Sequence, residues 1–411
     1  MTTSTARPAN DEAWRRNVAA VTAASFMGYT GFTLVMPFLP LFIAQLGVTD
    51  VGEVAMWTGL SLGVTPGLTA LLSPAWGRLG DRYGRKIMVE RSMISFVILM
   101  SAMAYVTRAW HVLALRAIQG LFAGYGSLSV AMAAESAPRD RMPNAIGVVQ
   151  TAQRIGPAVG PLIGGVLAGI VGLRRAFIAT AMFYAAGLVL VYLMYDERAT
   201  HAFQESSDSG RVTFRSVLAF RNFVLMMAVI FGLQFVDRSF GPVLPLWVER
   251  IGAARERVAL VSGILFSVMA LTGALGHHFC GKLLGRYASR LVIGGGAAVA
   301  AVGAALMSAA GAMAGLESRP AMVAVMTVAS VLLGLGIGAA MTASYSAAGA
   351  VIPPGAHGTG FGVLTSASLV GMASSPFVAG LVGGASLRIV FFVDVAVMGL
   401  LAIVVHNVMV D

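Results

Sequence analysis

Long apolar runs, separated by short stretches of charged and turn-forming residues, fill almost the whole sequence. Each run is long enough for a transmembrane helix, which needs about 20 mostly apolar residues. The pattern therefore predicts an all-α integral membrane protein with 12 transmembrane helices. The predicted helices lie near residues 17–46, 55–76, 87–107, 110–134, 144–172, 174–196, 221–250, 258–280, 290–314, 320–349, 358–384 and 386–409.

Composition supports the same class of protein. Only 11% of the residues are charged and 57% are hydrophobic, whereas about a quarter of the residues of soluble domains are charged. Cys280 is the only cysteine, which excludes a disulfide framework and a thiolate metal site. We expect no metal and no cofactor. The first apolar run is too long for the apolar core of a cleavable signal, so we expect the first helix to direct membrane insertion.

Polar segments and basic residues predict the domains and their orientation. We expect a tail (1–16), a first six-helix half (17–196), a linker (197–220) and a second six-helix half (221–409). Seventeen of the 28 Lys and Arg residues would then lie on the side of both termini, and eight on the other side. By the positive-inside rule both termini are cytoplasmic. The expected location is the inner cell membrane.

The two halves of the sequence repeat each other. "MPFLPLFIAQLG" (36–47) matches "GPVLPLWVERIG" (241–252), and "GRLGDRYGRK" (77–86) matches "GKLLGRYASR" (281–290). A third match pairs glycines and a proline of 147–165 with those of 362–380. We therefore predict two pseudo-symmetric six-helix halves with a binding site between them, the layout of a secondary transporter.

The segment "GRLGDRYGRK" resembles the loop signature of the major facilitator superfamily. Its glycines would permit a tight turn, and its basic residues would hold it at the anionic leaflet. The resemblance implies that Asp81 faces the start of helix 11 and latches the outward-facing state. The alternative is a solvated loop whose only role is to set the orientation of the protein in the membrane. The residues assigned to the latch are Gly77, Asp81, Arg82, Gly84, Arg85 and Lys86.

A second motif resembles the helix-5 signature of the drug:proton antiporter branch of that superfamily. Glycines four residues apart on one helix face let another helix approach closely, and the proline bends the helix. The resemblance implies that this helix seals the outer side of the interface between the halves, and that the protein exports its substrate. "MPFLPLF", "MWTG" and "SPAWGRLGDRYGRKIM" are similar to bacterial multidrug efflux proteins of the MdtG type. The motif residues are Gly147, Gly156, Gly160, Pro161, Gly164 and Gly165.

Three arginines lie within the predicted spans: Arg116, Arg154 and Arg238. An arginine inside a membrane span is costly and points to a cavity or an ionic partner. "RAIQGLFAG" (116–124) resembles the superfamily's helix-4 signature, in which the arginine faces the central cavity; a structural ion pair is the alternative. We predict a substrate cavity formed by Gln119, Arg154, Gln234, Arg238, Tyr29 and Tyr125.

Two aspartates lie deep in the spans, Asp237 and Asp394. Asp237 shares a helix face with Gln234 and is next to Arg238, so desolvation and a positive charge act on it in opposite directions. We predict that Asp237, with Arg116, couples transport to protons. A static pair of Asp237 with Arg238 or Arg116 is the alternative. Proton coupling is questioned by the lack of an acidic residue in the first span. For Asp394 we expect a structural role.

The resemblance and the motifs together imply a function. We expect a secondary transporter that exports small amphipathic compounds or drugs against proton entry by alternating access. The excess of arginine over aspartate in the spans favours anionic or zwitterionic substrates. The alternative is a proton-coupled importer or exchanger of a metabolite such as a sugar or an organic acid. We expect no enzymatic activity, no binding of nucleic acid, and a monomer in the lipid bilayer driven by the proton gradient.

Overall fold

The computed structural model describes residues 7–138, 141–196, 222–312, 319–352 and 357–409, and helices account for nearly all of them. The predicted linker (197–220) lies outside the described residues. The helices are α1 (Arg7–Leu34), α2 (Leu39–Gln45), α3 (Val51–Tyr83), α4 (Arg85–Met103), α5 (Ala109–Phe122), α6 (Tyr125–Ser136), α7 (Met142–Val171), α8 (Leu173–Met194), α9 (Phe223–Arg250), α10 (Arg255–Leu284), α11 (Ser289–Ala312), α12 (Arg319–Val351), α13 (His357–Ala385) and α14 (Leu387–Val408).

Within the described part of the chain, these helices lie at the positions of the predicted spans, and ten or eleven of the spans are apolar enough to cross a membrane. Ten spans are long and apolar enough to cross a membrane, with α5 and α6 counted as one, and the bent pair α1–α2 is an eleventh. α4 lies at the predicted third span but is not apolar enough to count as one by the same criterion, because its first seven residues include Arg85, Lys86, Glu90 and Arg91. It packs against α5, α6 and α8. The all-α membrane fold predicted from the apolar runs is confirmed.

Two of the predicted helices are broken. The first was expected to be continuous over residues 17–46, but it begins at Arg7 and stops at Leu34, and α2 continues at an angle of 47°. Pro37 and Pro40 lie at this break, where a missing N–H and a fixed φ oppose a continuous helix. The fourth span breaks at Ala123 and Gly124, and Gly124 has a φ of 125°, which only glycine adopts without strain.

Packing reproduces the internal repeat. In the first half α7 packs against α1, and it also contacts α10 of the second half. In the second half α13 packs against α9, and it also contacts α3 of the first half. Because α7 and α13 are the two helices that carry the matched glycine patterns, the repeat in sequence corresponds to equivalent positions in the fold.

Hydrogen bonds between helix ends define the two sides of the molecule. Asn17, ten residues after the start of α1, donates a 2.8 Å bond from Nδ2 to the carbonyl of Asp196 and accepts one from the Asp196 N–H. We call this the termini side. On the opposite side Arg174, at the start of α8, donates to the carbonyls of Ala104 and Val106, just after α4.

The two halves are in close contact near the opposite side. Gly59 of α3 lies against the Pro376 carbonyl of α13, with no room for a side chain. In the second contact, a Cβ at Gly165 of α7 would lie 2.5 Å from the Ala259 carbonyl oxygen of α10. The Leu162 N–H of α7 also donates a 3.0 Å bond to Ser267 Oγ of α10. Glycine allows the backbones to approach this closely because it has no side chain.

The same helices leave space near the termini side. A Cβ at Gly147 of α7 or at Gly362 of α13 would meet no atom within 4 Å in the described structure. Hydrophobic side chains on these segments are exposed, including Val148 and Ile155 of α7 and Val370 of α13. The close backbone contacts between the halves in the described structure therefore lie near the opposite side.

Candidate functional site

A cavity lies between the two halves, next to the close contacts between them. The space in it that a water molecule can reach is about 20 Å³. Both halves contribute to its wall, which is apolar except for two arginines. The lining residues are Phe32, Met36, Leu62, Pro66 and Arg116 from the first half, and Arg238, Met372 and Pro376 from the second.

Arg116 is the most constrained of these residues. It is only 1% exposed, and its Nη1 donates a 3.1 Å hydrogen bond to Gln119 Oε1 one turn later on α5. Its Nε and Nη2 have no hydrogen-bond partner within the described structure. A buried guanidinium without a carboxylate is costly, so Arg116 is a candidate to bind an anionic group from a ligand.

Thr65 holds Arg116 in position, and Tyr184 lies beside it. Thr65 Oγ1 of α3 donates a 2.8 Å hydrogen bond to the backbone carbonyl of Arg116, which ties α3 to α5. Tyr184 of α8 is fully enclosed by protein, and its hydroxyl has Arg116 and Gln119 as electrostatic neighbours. The sequence pattern singled out neither Thr65 nor Tyr184, because their contacts join residues that are far apart in the chain.

The second arginine of the cavity is paired with an acid. Arg238 Nε lies 3.1 Å from Oδ2 of Asp237, and both side chains are about one-quarter exposed. The contact is an ion pair without the alignment of a hydrogen bond. The described conformation therefore contains the Asp237–Arg238 ion pair, which was the alternative prediction for Asp237. Whether Asp237 also carries protons stays a prediction.

Tyr29 and Tyr125 face each other beside the cavity. Their ring centroids are 5.5 Å apart, and glycines make the space for the rings: Gly28 lies against Tyr125 and Gly126 against Tyr29. Arg238 is an electrostatic neighbour of the Tyr29 hydroxyl. This places Tyr29 between the two halves, whereas Tyr125 is buried in the first half.

The remaining predicted cavity residues, Gln234 and Arg154, do not line the cavity. Gln234 is half-buried, and its Cβ packs on the backbone of α13 at Gly371. Arg154 is exposed on α7, nearer the termini side. Its electrostatic neighbours, His277 of α10 and Tyr345 of α12, belong to the other half. Arg154 thus lies near the second half but does not line the cavity.

The glycines of α7 divide between two partners. Gly156, Gly160 and Gly164 lie against the backbone of α1 in the same half. Gly165 and the carbonyl of Pro161 instead lie against α10 of the other half, at Ala259 and Gly263 respectively. Gly147 contacts neither helix. The part of the motif that meets the other half is thus its last turn, on the side opposite the termini.

Comparison with known proteins identifies this arrangement. A sequence model described as the Major Facilitator Superfamily matches residues 21–324. The chain belongs to the Major Facilitator Superfamily. It is 33% identical to the multidrug resistance protein MdtG of Serratia proteamaculans, over 66% of each chain. It is 29% identical to a multi-drug resistance efflux pump PmrA homolog of Lactococcus lactis, over 68% of this chain and 69% of that protein.

Solved structures of the superfamily share the fold. A bacterial homolog of the human lysosomal transporter Spinster, in an inward-facing and unoccupied conformation, matches with a TM-score of 0.74 and 17% identity, over 97% of this chain and 95% of the other. A D-xylose-proton symporter matches with a TM-score of 0.73 and 16% identity, over 97% and 98%. The chain spans about two thirds of the length of the curated relatives that it matches.

The superfamily signature at residues 77–86 is mostly helical. α3 continues to Tyr83, and Gly84 alone, with a φ of 95°, separates it from α4. The expectation that the glycines of the motif form the turn is therefore correct for Gly84 and wrong for Gly77 and Gly80, which are helical. Gly80 instead provides space for Leu128 of α6.

The basic residues of the signature contact their own half. Arg85 Nη1 lies 3.0 Å from Glu135 Oε1 of α6, and Lys86 Nζ donates a 2.8 Å bond to the Tyr195 carbonyl at the end of α8. Arg82 lies over the ring of Tyr83. The side chain of Asp81 and residues 353–356 lie outside the described structure. The latch between Asp81 and the start of the eleventh predicted span, which is α13, therefore stays a prediction.

Proposed function

We propose that this superfamily transporter exports small amphipathic compounds against proton entry. The observation that carries the proposal is the cavity between the halves, which has apolar walls, two guanidinium groups and one carboxylate beside it. Relatives at about 30% identity carry the names of multidrug efflux proteins, which supports export. The glycine-lined closure near the opposite side supports alternating access.

The distribution of basic residues supports the orientation. Lys and Arg are concentrated on the termini side, and such an excess is retained in the cytoplasm. With this orientation in the inner membrane, the cavity opens to the cytoplasm and is sealed from the outside. An exporter in this state is ready to take up its substrate from the cytoplasm or the inner leaflet.

The chemistry of the cavity favours anionic or zwitterionic substrates over lipophilic cations. Phe32, Leu62 and Met372 provide apolar contact for the body of the substrate. Arg116 offers two N–H groups that have no partner in the described structure, and charge-assisted hydrogen bonds to a guanidinium are strong. A permanent cation would meet Arg116 and Arg238 with only the Asp237 carboxylate to offset them.

A simple exchange follows from the Asp237–Arg238 pair. A proton that neutralises Asp237 and the cationic group of a zwitterionic substrate would both compete with Arg238 for the same carboxylate. Binding of one then disfavours binding of the other, which is the requirement for exchange. The anionic group of the substrate would meanwhile contact Arg116.

Proton flux in proteoliposomes tests the proposal. Three amphiphiles that share one aromatic body and differ in a carboxylate, a zwitterionic or a quaternary ammonium group would be added to purified protein, with a pH-sensitive dye inside. We expect transport of the first two compounds, proton movement with the zwitterionic one, and loss of that proton movement in Asp237→Asn. Glu249→Gln, a change at the end of the same helix, is the matched control and should behave as wild type.

Four outcomes would contradict parts of the proposal. Substrate flux without proton movement would show a uniporter or another coupling ion. Proton movement that is unchanged in Asp237→Asn would leave Asp237 as a static ion pair. Substrate accumulation in the same direction as the protons would show an importer. Transport of the ammonium compound that equals transport of the others would overturn the substrate class.

A further inference from the structure

A second acidic group, Asp394 of α14, lies away from the central cavity. It is 0% exposed. Ser239 Oγ of α9 is 2.8 Å from Asp394 Oδ2, while Asp394 Oδ1 has no hydrogen-bond partner in the described structure. The sequence suggested an unspecified structural role for this residue, and α9 and α14 meet at this contact.

The hydrogen atoms at this contact indicate the protonation state of Asp394. Ser239 Oγ lies 2.9 Å from the Val236 carbonyl oxygen as well as 2.8 Å from Asp394 Oδ2. A hydroxyl has one hydrogen to donate, and a carbonyl and an ionised carboxylate are both acceptors only. A protonated Asp394 supplies the second hydrogen: the acid donates to Ser239 Oγ, and Ser239 donates to Val236.

The surroundings provide no positive charge to stabilise an ionised Asp394. A narrow gap beside it, with about 10 Å³ of space that a water molecule can reach, is lined by aliphatic residues of α13 and α14, by Phe235 and by Ser239. Asp394 takes part in no ion pair within the described residues. An ionised carboxylate buried without a partner costs many kcal/mol, so the neutral form is strongly favoured.

The charged groups on the neighbouring helices are engaged elsewhere or distant. On α9, Asp237 and Arg238 pair with each other and are rotated about 200° and 100° from Ser239 around the helix axis. On α14, Arg388 donates from Nε to Ser308 Oγ of α11. The other titratable residues of these helices and of α11 and α13 lie at helix ends: Glu249, Arg250, Arg290, His357 and His406.

We propose that Asp394 and Ser239 form a buried proton-binding site, separate from Asp237, that carries a proton in the described conformation. Asp394 lies seven residues into α14, about 10 Å from its opposite-side end. Ser239 adjoins Arg238 of the central cavity. Transfer of the proton from the carboxylic acid to water leaves a carboxylate anion. This anion is stable between α9 and α14 only if the two helices move apart and admit water. Protonation of Asp394 therefore sets the position of the helix that carries Arg238.

Infrared spectroscopy of the full-length protein in lipid tests the site without any substrate. We expect a carbonyl stretching band of a protonated carboxylic acid at neutral pH, with the shift in D₂O typical of an exchangeable proton. The band should be lost in Asp394→Asn and retained in Asp237→Asn. In Ser239→Ala it should move to higher frequency, because the acid loses its hydrogen-bond acceptor. An unchanged band in either Asp394→Asn or Ser239→Ala would overturn the proposal.

The role in transport rests on the proposed proton coupling and has a separate readout. In the proteoliposome assay, Asp394→Asn should reduce the number of protons moved per substrate, and Ser239→Ala should shift the pH at which exchange is half-maximal. Wild-type proton movement in both variants would limit Asp394 to a protonated structural group and contradict its coupling role. A wild-type protein without proton movement would refute the proposed function while leaving the infrared result intact.

Discussion

Gly59 of α3 lies directly against the carbonyl of Pro376 in α13, so two helices from different halves meet backbone to backbone. Equivalent contact is made by Gly263 of α10 against the carbonyl of Pro161 in α7. In each pair a glycine contacts the backbone carbonyl of a proline, and the two prolines lie at matched positions of the repeated helix. The closed end of the transporter is therefore built twice from the same element of the repeat.

Substitution of Gly59 should change the balance between conformations. In Gly59→Val the new side chain collides with the Pro376 carbonyl, so the closed contact at the opposite side loses stability relative to the open state. We expect faster labelling by a membrane-impermeant maleimide of a cysteine placed at Ala55, in a Cys280→Ser background. Gly295→Val adds the same side chain to α11 in open space. Equal labelling rates in the two variants would contradict the role of Gly59.

Neutralising Arg116 should lower the affinity for substrate without lowering the stability of the protein. In Arg116→Gln the anionic group of the proposed substrate loses a charge-assisted hydrogen bond, so affinity for that substrate should fall about tenfold or more. The thermal unfolding midpoint should stay the same or rise, because a buried charge without a carboxylate partner is removed. Calorimetric titration and thermal unfolding in detergent measure the two effects. A large loss of stability with unchanged affinity would identify Arg116 as a structural residue.

The hydrogen bond from Thr65 should position Arg116. Thr65→Val keeps the shape of the side chain but removes the tie between α3 and α5, at a cost of about 1 kcal/mol. We expect lower substrate affinity together with a lower unfolding midpoint. Thr58→Val is the matched control, because the Thr58 hydroxyl bonds to the Val54 carbonyl within its own helix. If both valine variants bind substrate as wild type does, the tie has no part in the site.

Lys86 should stabilise the first half through the end of α8. Its ammonium group donates to the carbonyls of Tyr192 and Tyr195, where the last carbonyls of a helix favour a positive charge. Lys86→Ala should lower the unfolding midpoint by an amount that corresponds to about 1 kcal/mol. Lys282→Ala, which removes a contact with the Phe279 ring on the second half, should have a smaller effect. Equal midpoints would show that the bonds of Lys86 contribute little.

Sequence patterns predicted the spans well but not their breaks. The apolar runs were sufficient because a membrane span must satisfy its own backbone hydrogen bonds and expose apolar side chains. The early start of α1 and its break before α2 were missed. Residues 7–16 carry charges that hide a helix from a hydropathy pattern, and a proline pair permits either a kink or a full break.

The candidate site was only partly predictable. Arg116 and Arg238 stood out because arginine is rare inside a membrane span, and the structure places both on one cavity. The clamp of Thr65 on Arg116 and the contact of Ser239 with Asp394 join residues 51 and 155 positions apart. No periodicity links such pairs, since serine and threonine within a span also bond to their own helix.

By itself, the sequence determined the membrane environment, the twofold repeat and the membership of a transporter family, because these follow from local hydrophobicity and from motifs that are contiguous in the chain. Only the tertiary structure decided which end of the molecule is closed, which arginine is paired and which aspartate is buried without a charge. These properties depend on how helices from the two halves approach each other. The approach is fixed by many small packing contacts across the interface rather than by any single segment.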